Sequence, residues 1–392
     1  MPDRKTQLGP VVPLDPAESH RQVPPFARGL LVLLLLYLFL VGVALLESGI
    51  GAMGEGFQAA FLSSVSHPIS GLFAGILATV LVQSSSVSTA TIVGLVGAGT
   101  LPLPLAIPMV MGANIGTTVT NTLASLGSIR RSEEFQRGFS AAIVHDFFNL
   151  IAVAILLPLE LLTGFLSRSA VWLTEILRGA DFDPAAPGRS PIRQAVRVPV
   201  GMIEDGIGGL IPLGPVVGLI FLGMGLALIF LALGFITKNM RQLVAGGVER
   251  VMNQLIGRGG GSVGILVGIL VTVAVQSSTI TTSILVPLVA AGVLKLRNAY
   301  PITVGANVGT TITALLASLA VLRPEGLTIA LVHTLFNLSA LAVIFPIPAI
   351  RMIPVRMAER MSKIATRHHV LVFGYVVGIF LVLPLAGIFL IR

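Results

Sequence analysis

Residues 75–126, GILATVLVQSSSVSTATIVGLVGAGT…MGANIGTTVTNTLASL, and residues 268–319, GILVTVAVQSSTITTSILVPLVAAGV…VGANVGTTITALLASL, are two versions of one segment. Aligned without a gap at an offset of 193, they agree at 30 of 52 positions. In each copy a Gln-Ser-Ser element (Gln83-Ser84-Ser85, Gln276-Ser277-Ser278) is followed 31 residues later by the Asn of Gly-Ala-Asn-x-Gly-Thr-Thr (Asn114, Asn307). After a five-residue gap the likeness resumes at His145/Asn149 and His333/Asn337. A duplicated, hydroxyl-rich, charge-free core inside an apolar chain is the pattern of a secondary transporter whose site lies where two repeats meet.

Composition supports that compartment. The 392-residue chain is 54% hydrophobic and 11% charged, with a mean hydropathy of +0.95, against about a quarter charged in soluble domains. Apolar runs of spanning length occur at 29–46, 105–127, 138–159, 213–236, 300–322, 327–350 and 370–391, each near the roughly 20 residues a bilayer requires. The expected fold is therefore an all-α polytopic membrane protein in the cell (inner or plasma) membrane, in direct contact with the lipid bilayer. The net charge of +8 comes from basic residues beside the spans, which positive-inside bias accounts for without a nucleic acid partner. The chain has no cysteine, which excludes disulfides and thiolate metal sites.

Loop charge sets the orientation of the repeats. Segment 47–69 holds Glu47 and Glu55 without Lys or Arg, whereas its counterpart 237–261 carries Lys238, Arg241, Arg250 and Arg258. Segment 98–105 is uncharged, and its counterpart 293–299 carries Lys295 and Arg297. Segment 163–212 balances five Arg with five acids, while 349–369 sets five Lys/Arg against Glu359. Equivalent loops on opposite faces imply inverted repeats. The boundaries expected are a disordered cytoplasmic tail over 1–27, a first transmembrane repeat over 28–162, an extracytoplasmic connection over 163–212 with an amphipathic stretch near Trp172–Leu177, a second repeat over 213–350, and a basic cytoplasmic loop with the final span over 351–392. On this scheme 70–97 and 264–292 enter and leave on one side each. Each is then a re-entrant helical hairpin with its QSS[ST] motif at the tip, tolerated at membrane depth only where protein or a wet cavity satisfies the backbone.

The chemistry available is neutral. No Asp, Glu, Lys or Arg occurs from Ser70 to Gly127 or from Gly259 to Leu294. Ser, Thr, Gln and Asn offer oxygens to a monovalent cation and OH or NH donors to an oxyanion. Broken helices add N-termini for anions and carbonyl ends for sodium. Two facing tips, Gln83, Ser84, Ser85, Ser86 and Gln276, Ser277, Ser278, Thr279, make a neutral cage for an oxyanion with cation sites beside it. Gly112-x3-Gly116 and Gly305-x3-Gly309 have the spacing of close helix packing, which does not explain Asn114, Thr117, Thr118 and Thr120 or Asn307, Thr310, Thr311 and Thr313. Three- and four-residue spacing puts several of these on one wall, with Asn114 and Asn307 as candidate substrate contacts. His145/Asn149 and His333/Asn337 are read as braces between helices, and Asp146, opposite Thr334, as outside any symmetric site. No metal-ligand cluster, phosphate loop or serine with a paired base is present, so an enzyme is not expected.

At these residues the chain resembles the type II sodium-phosphate cotransporters: QSSS and QSST, each trailed by GAN-x-GTT, and the VHDFFN ending. The resemblance runs over roughly 28–390. It implies sodium-driven uptake of inorganic phosphate, with phosphate held between the two Gln-Ser-Ser regions. It further implies co-transported sodium ions bound among Gln276, Ser277, Thr310 and Thr313, with Gln83, Ser84, Thr117 and Thr120 as first-repeat equivalents. The second motif departs by carrying Thr279 where the first has Ser86, and the hydroxyl is kept. There is no long cysteine-bearing loop between the halves and no phosphate-sensing domain after the last span, so animal-type regulation is not expected. The residues alone leave open a carrier of sulfate or a carboxylate, and a channel or non-transporting membrane protein.

The charge scheme is testable on the cysteine-free background. A single cysteine placed at Arg250 should resist an impermeant thiol reagent in intact cells and react once the membrane is opened. Labelling from outside would reverse the orientation.

Overall fold

The computed structural model describes residues 24–54, 56, 67–179, 191–208, 211, 214–255 and 261–391, and these are almost wholly helical. The tail expected over 1–27 and the Pro/Gly-rich stretch 184–191 lie almost entirely outside the described residues. The first half holds α1 (Pro25–Ala52), α2 (Pro68–Val82), α3 (Ser85–Gly97), α4 (Leu103–Gly116), α5 (Val119–Ser125) and α6 (Ser132–Thr163). α7 (Phe165–Gly179) and α8 (Pro191–Gly208) connect it to α9 (Pro215–Leu255), α10 (Gly261–Val275), α11 (Ser278–Ala290), α12 (Leu296–Ser318) and α13 (Pro324–Ile344). Short α14 (Pro348–Arg351) and α15 (Ile353–Arg367) lead to a last helix from α16 (His369–Val377) through a π turn to α17 (Leu383–Leu390).

Among the described residues, six helices are long and apolar enough to cross a membrane: Phe26–Ala52, Leu103–Ser125, Ser132–Thr163, Pro215–Met240, Pro324–Ile344 and His369–Leu390. The seventh expected span, 300–322, forms α12 but is not among these six. Its 23 residues carry Arg297, Asn298, Thr303, Asn307, Thr310, Thr311 and Thr313, and all but the first two are buried against protein. The basic segment 237–261, read as a loop, is instead helical to Leu255 as the continuation of α9. Within the connection 163–212 the described residues form two amphipathic helices, α7 and α8, and α7 exposes Trp172 and Ile176 as its sequence pattern predicts.

Packing runs between the halves as much as within them. α1 lies along α9, α2 along α4, and α10 along α12. α3 of the first half packs on α13 and α12 of the second, while α11 of the second packs on α6 and α5 of the first. α7, which follows α6, packs on α13; α15, which follows α13, packs on α6. Each of these packings thus has a counterpart with the halves exchanged. One difference is that α4 and α5 are separated at Thr117–Thr118, whereas α12 runs unbroken through Thr310–Thr311.

Glycine makes the closest of these contacts. A Cβ at Gly112 would overlap the Leu72 carbonyl oxygen of α2, and one at Gly75 the Met109 carbonyl of α4. Gly305 and Gly268 stand in the same relation to the Ile265 and Ile302 carbonyls. Backbones at this separation gain dispersion contacts that side chains would hold apart, the usual basis of helix association where lipid supplies no hydrophobic drive. The opposing atoms are carbonyls, which do not yield like a side-chain end. Gly112→Ala or Gly305→Ala should cost about 1–3 kcal/mol, read as a lowered Tm of the purified protein in detergent. Gly51→Ala, where nothing lies within 4 Å, should leave Tm unchanged; equal effects at all three positions would contradict this packing.

Candidate functional site

Both Gln-Ser-Ser elements break a helix in the same way. α2 ends on Gln83 in the left-handed region (φ 57°), and Gln276 after α10 has φ 56°. Among the described residues these two are the non-glycine positions with positive φ, a conformation that costs an L-residue about 1–2 kcal/mol. Their side chains offset the cost. Gln83 Nε2 donates to the Val80 carbonyl at 2.5 Å, and its Oε1 accepts from Thr120 Oγ1 at 2.7 Å. Gln276 does the same with Val273 at 2.7 Å and Thr313 Oγ1 at 3.0 Å. A glycine would adopt the angle more easily but would tie the break to nothing. The next residue restarts the chain: Ser84 and Ser277 are extended (φ −152° and −155°), and their hydroxyls accept from the Val87 and Ile280 amides at 3.3 and 3.4 Å as N-caps.

The two restarts face one cavity of about 270 Å³. Gln83, Ser84 and Ser86 line it from one side, and Gln276, Ser277 and Thr279 from the other. Ser86 Oγ reaches the Gln276 carbonyl across the halves at 3.5 Å. Among the described residues, no charged side chain lines the cavity. The first amides of α3 and α11 have no partner within their own helices, and the positive ends of both helix dipoles converge there. The volume is below the roughly 300–1,000 Å³ of drug-sized ligand pockets, which suits a small ion. Neutral hydroxyls, amides and helix N-termini can hold an oxyanion, and the same oxygens can hold sodium.

The other expected residues are distributed around this cavity rather than in it. Ser85 and Ser278 are buried and are not among the residues that line it. Thr117 and Thr310 are buried, each donating to the carbonyl four residues back (Ala113 at 2.9 Å, Ala306 at 3.0 Å), one helical turn from Thr120 and Thr313. Asn114 and Asn307 do not line the cavity either. Asn307 Nδ2 donates to Asn149 Oδ1 at 2.7 Å and Asn337 Oδ1 at 3.1 Å. Asn149 Nδ2 donates to the Asn114 carbonyl at 2.8 Å, and Asn337 Nδ2 to the Asn307 carbonyl at 3.2 Å. His333 Nε2 lies 3.4 Å from Asn114 Oδ1. These buried amides join α4, α6, α12 and α13, which agrees with bracing by Asn149, His333 and Asn337. Asp146 is also structural in its contacts, its Oδ2 accepting from Tyr375 Oη of the last helix at 2.8 Å.

Two contributions escape a reading confined to the repeats. α9 closes the cavity with Phe230, Leu233, Gly234 and Thr237, and in sequence it shows only a membrane span. Asn121 ties α5 to α11, donating from Nδ2 to Thr282 Oγ1 and accepting at Oδ1 from Ser283 Oγ at 2.7 Å. Its counterpart in the second copy is Ala314, so the duplication conceals it.

The chain is similar to known proteins. A family model described as Na+/Pi-cotransporter matches residues 38–168 and 228–382, leaving out most of the α7–α8 connection. Sodium-dependent phosphate transport protein 2A of Ovis aries is 33% identical over 428 aligned residues, covering 90% of this chain and 66% of the relative. Sodium-dependent phosphate transport protein 2B of Homo sapiens is 32% identical, covering 91% of this chain and 64% of the relative. The chain therefore spans about two thirds of the length of these relatives. No solved structure matches.

Proposed function

The chain belongs to the Na+/Pi-cotransporter family, and from that premise we propose that it is a multi-pass membrane symporter coupling sodium to the transport of inorganic phosphate. The observation that carries this reading is the uncharged cavity where two broken helices present their N-termini to each other. Phosphate is bound there by Ser84, Ser86, Ser277 and Thr279 together with the first amides of α3 and α11. Sodium is held by Gln276, Ser277, Thr310 and Thr313, with Gln83, Thr117 and Thr120 as the equivalent set. Without a basic side chain, the cage binds an anion poorly until cations offset its charge. Linkage then requires phosphate to strengthen sodium by the same factor, which is the thermodynamic content of coupling.

Alternating access follows from inverted repeats in which each Gln-Ser-Ser segment is the tip of a re-entrant hairpin. The exchanged packing of α3 with α13 and of α11 with α6 supports this reading, because such an arrangement lets one half rock against the other about a fixed midpoint. Opposed loop charge supports the inversion. The names of the relatives support phosphate over another oxyanion.

Proteoliposomes with an inward sodium gradient should accumulate labelled phosphate above its outside level, and a potassium gradient should not support this. Sulfate in excess should compete weakly; equal competition would assign a different anion, and passive equilibration a channel. Thr313→Val, which removes the hydroxyl on Gln276 Oε1, should raise the sodium concentration for half-maximal uptake about five- to tenfold, with uptake recovering at high sodium. An unchanged sodium dependence would make Thr313 a packing residue.

A further inference from the structure

A second polar cavity lies at the far end of α11. There the chain turns on Gly292 in the left-handed region (φ 75°), and Arg137 of α6 donates from Nε to the Ala290 carbonyl at 3.0 Å. The cavity, about 540 Å³, is lined by Arg137, Lys295, Arg297 and Lys363 against a single carboxylate, Glu359, with the Ser140 and Ser362 hydroxyls beside them. The duplication supplies an internal comparison. α3 ends in the same way at Gly99 (φ 74°), and the cavity of about 510 Å³ at that end sets Arg197 and Arg323 against Glu47 and Glu204. One end is balanced and the other strongly cationic, so fold alone does not call for the excess.

The helix supplying Lys363 has the character of a membrane-surface element. Along α15, Arg356, Arg360, Lys363 and Arg367 recur at helical spacing as one exposed strip. Ile353, Met357 and Ile364 form an adjoining strip and are 38, 37 and 47% exposed. The opposite face, with Val355, Ala358, Ser362 and Ala365, is buried, and the helix packs on α6. A helix that leads directly into a span and carries apolar and basic strips side by side lies in the interface, its cations at headgroup level. The cavity opens next to those strips and is twice the volume of the central one, which suits a headgroup with acyl chains beside it better than a bare ion.

We propose that this cavity binds the phosphate of an anionic phospholipid headgroup, with Lys295, Arg297 and Lys363 as its cationic contacts and the acyl chains running along Ile353, Met357 and Ile364. The test uses the full chain purified in uncharged detergent, with native mass spectrometry to count bound phosphatidylglycerol against phosphatidylcholine. The protein should retain phosphatidylglycerol selectively. Lys295→Gln, Arg297→Gln and Lys363→Gln together should weaken that retention about a hundredfold, at roughly fivefold for each cation removed. These side chains are exposed, and Arg137 with its helix contact stays in place, so the variant should elute and melt as the parent does. Arg356→Gln, Arg360→Gln and Arg367→Gln together, on the same strip but outside the cavity, should change retention less than twofold. Equal loss in the two triple variants would replace the site with diffuse attraction, and equal retention would remove it. Displacement of the lipid by excess inorganic phosphate would assign the cavity to the free ion and overturn the headgroup assignment.

Discussion

Two glutamines held in a left-handed conformation organise the centre of this molecule. An α-helix in a bilayer satisfies its backbone internally, so breaking one exposes amides and carbonyls that lipid cannot satisfy. Gln83 and Gln276 stop their helices, bond their own preceding turn, and anchor the break to Thr120 and Thr313 on a neighbouring helix. The serine that follows caps the next helix. Both breaks therefore face a shared polar cavity. Most polar residues of the motif have a place in this sequence of events: Gln83 and Gln276 make the turn, Ser84 and Ser277 the cap, and Ser86 and Thr279 line the cavity.

The surrounding helices hold the breaks in register. Glycine lets α2 and α4, and α10 and α12, approach at backbone distance, and the asparagine cluster ties α4 and α12 to α6 and α13. A buried amide network rigidifies when fully paired and becomes costly when any member loses its partner. The scaffold is thus fixed near the midplane of the two halves. The cavity itself is lined by neutral groups, whose attraction for the proposed anion would be modest until cations arrive. A stiff frame around a neutral site is what the proposed ion-coupled carrier would require.

Much of this was legible in the residues. Thirty matches in 52 positions disclose the duplication, and apolar runs disclose the membrane. A dense polar run in the middle of such a segment, Gln83–Thr91, marks the break, because packing alone rarely needs so many hydroxyls. The facing of Ser86 and Thr279 followed from treating the copies as a pair. Spacing was a weaker guide to direction. Asn114 and Asn307 sit among hydroxyls in sequence, yet the helical turn they occupy faces other amides and not the cavity. Ser85 and Ser278 lie between lining residues but begin their helices buried, outside the cavity lining. Contacts that obey no repeat, such as Asn121 with Ser283 or Thr237 at the cavity wall, left no pattern to read. Helical continuity past residue 237 was equally hidden, since a charged stretch after a span reads as a loop.

The most direct test of the account is protection of a thiol in the central cavity. The chain has no cysteine, so Ser86→Cys provides one reporter beside both breaks. Its reaction with a small water-soluble thiol reagent should be slowed by phosphate when sodium is present, and by neither ion nearly as much alone. A labelling rate that phosphate and sodium together leave unchanged, in a variant that remains folded, would contradict the assignment of this cavity as the coupled site.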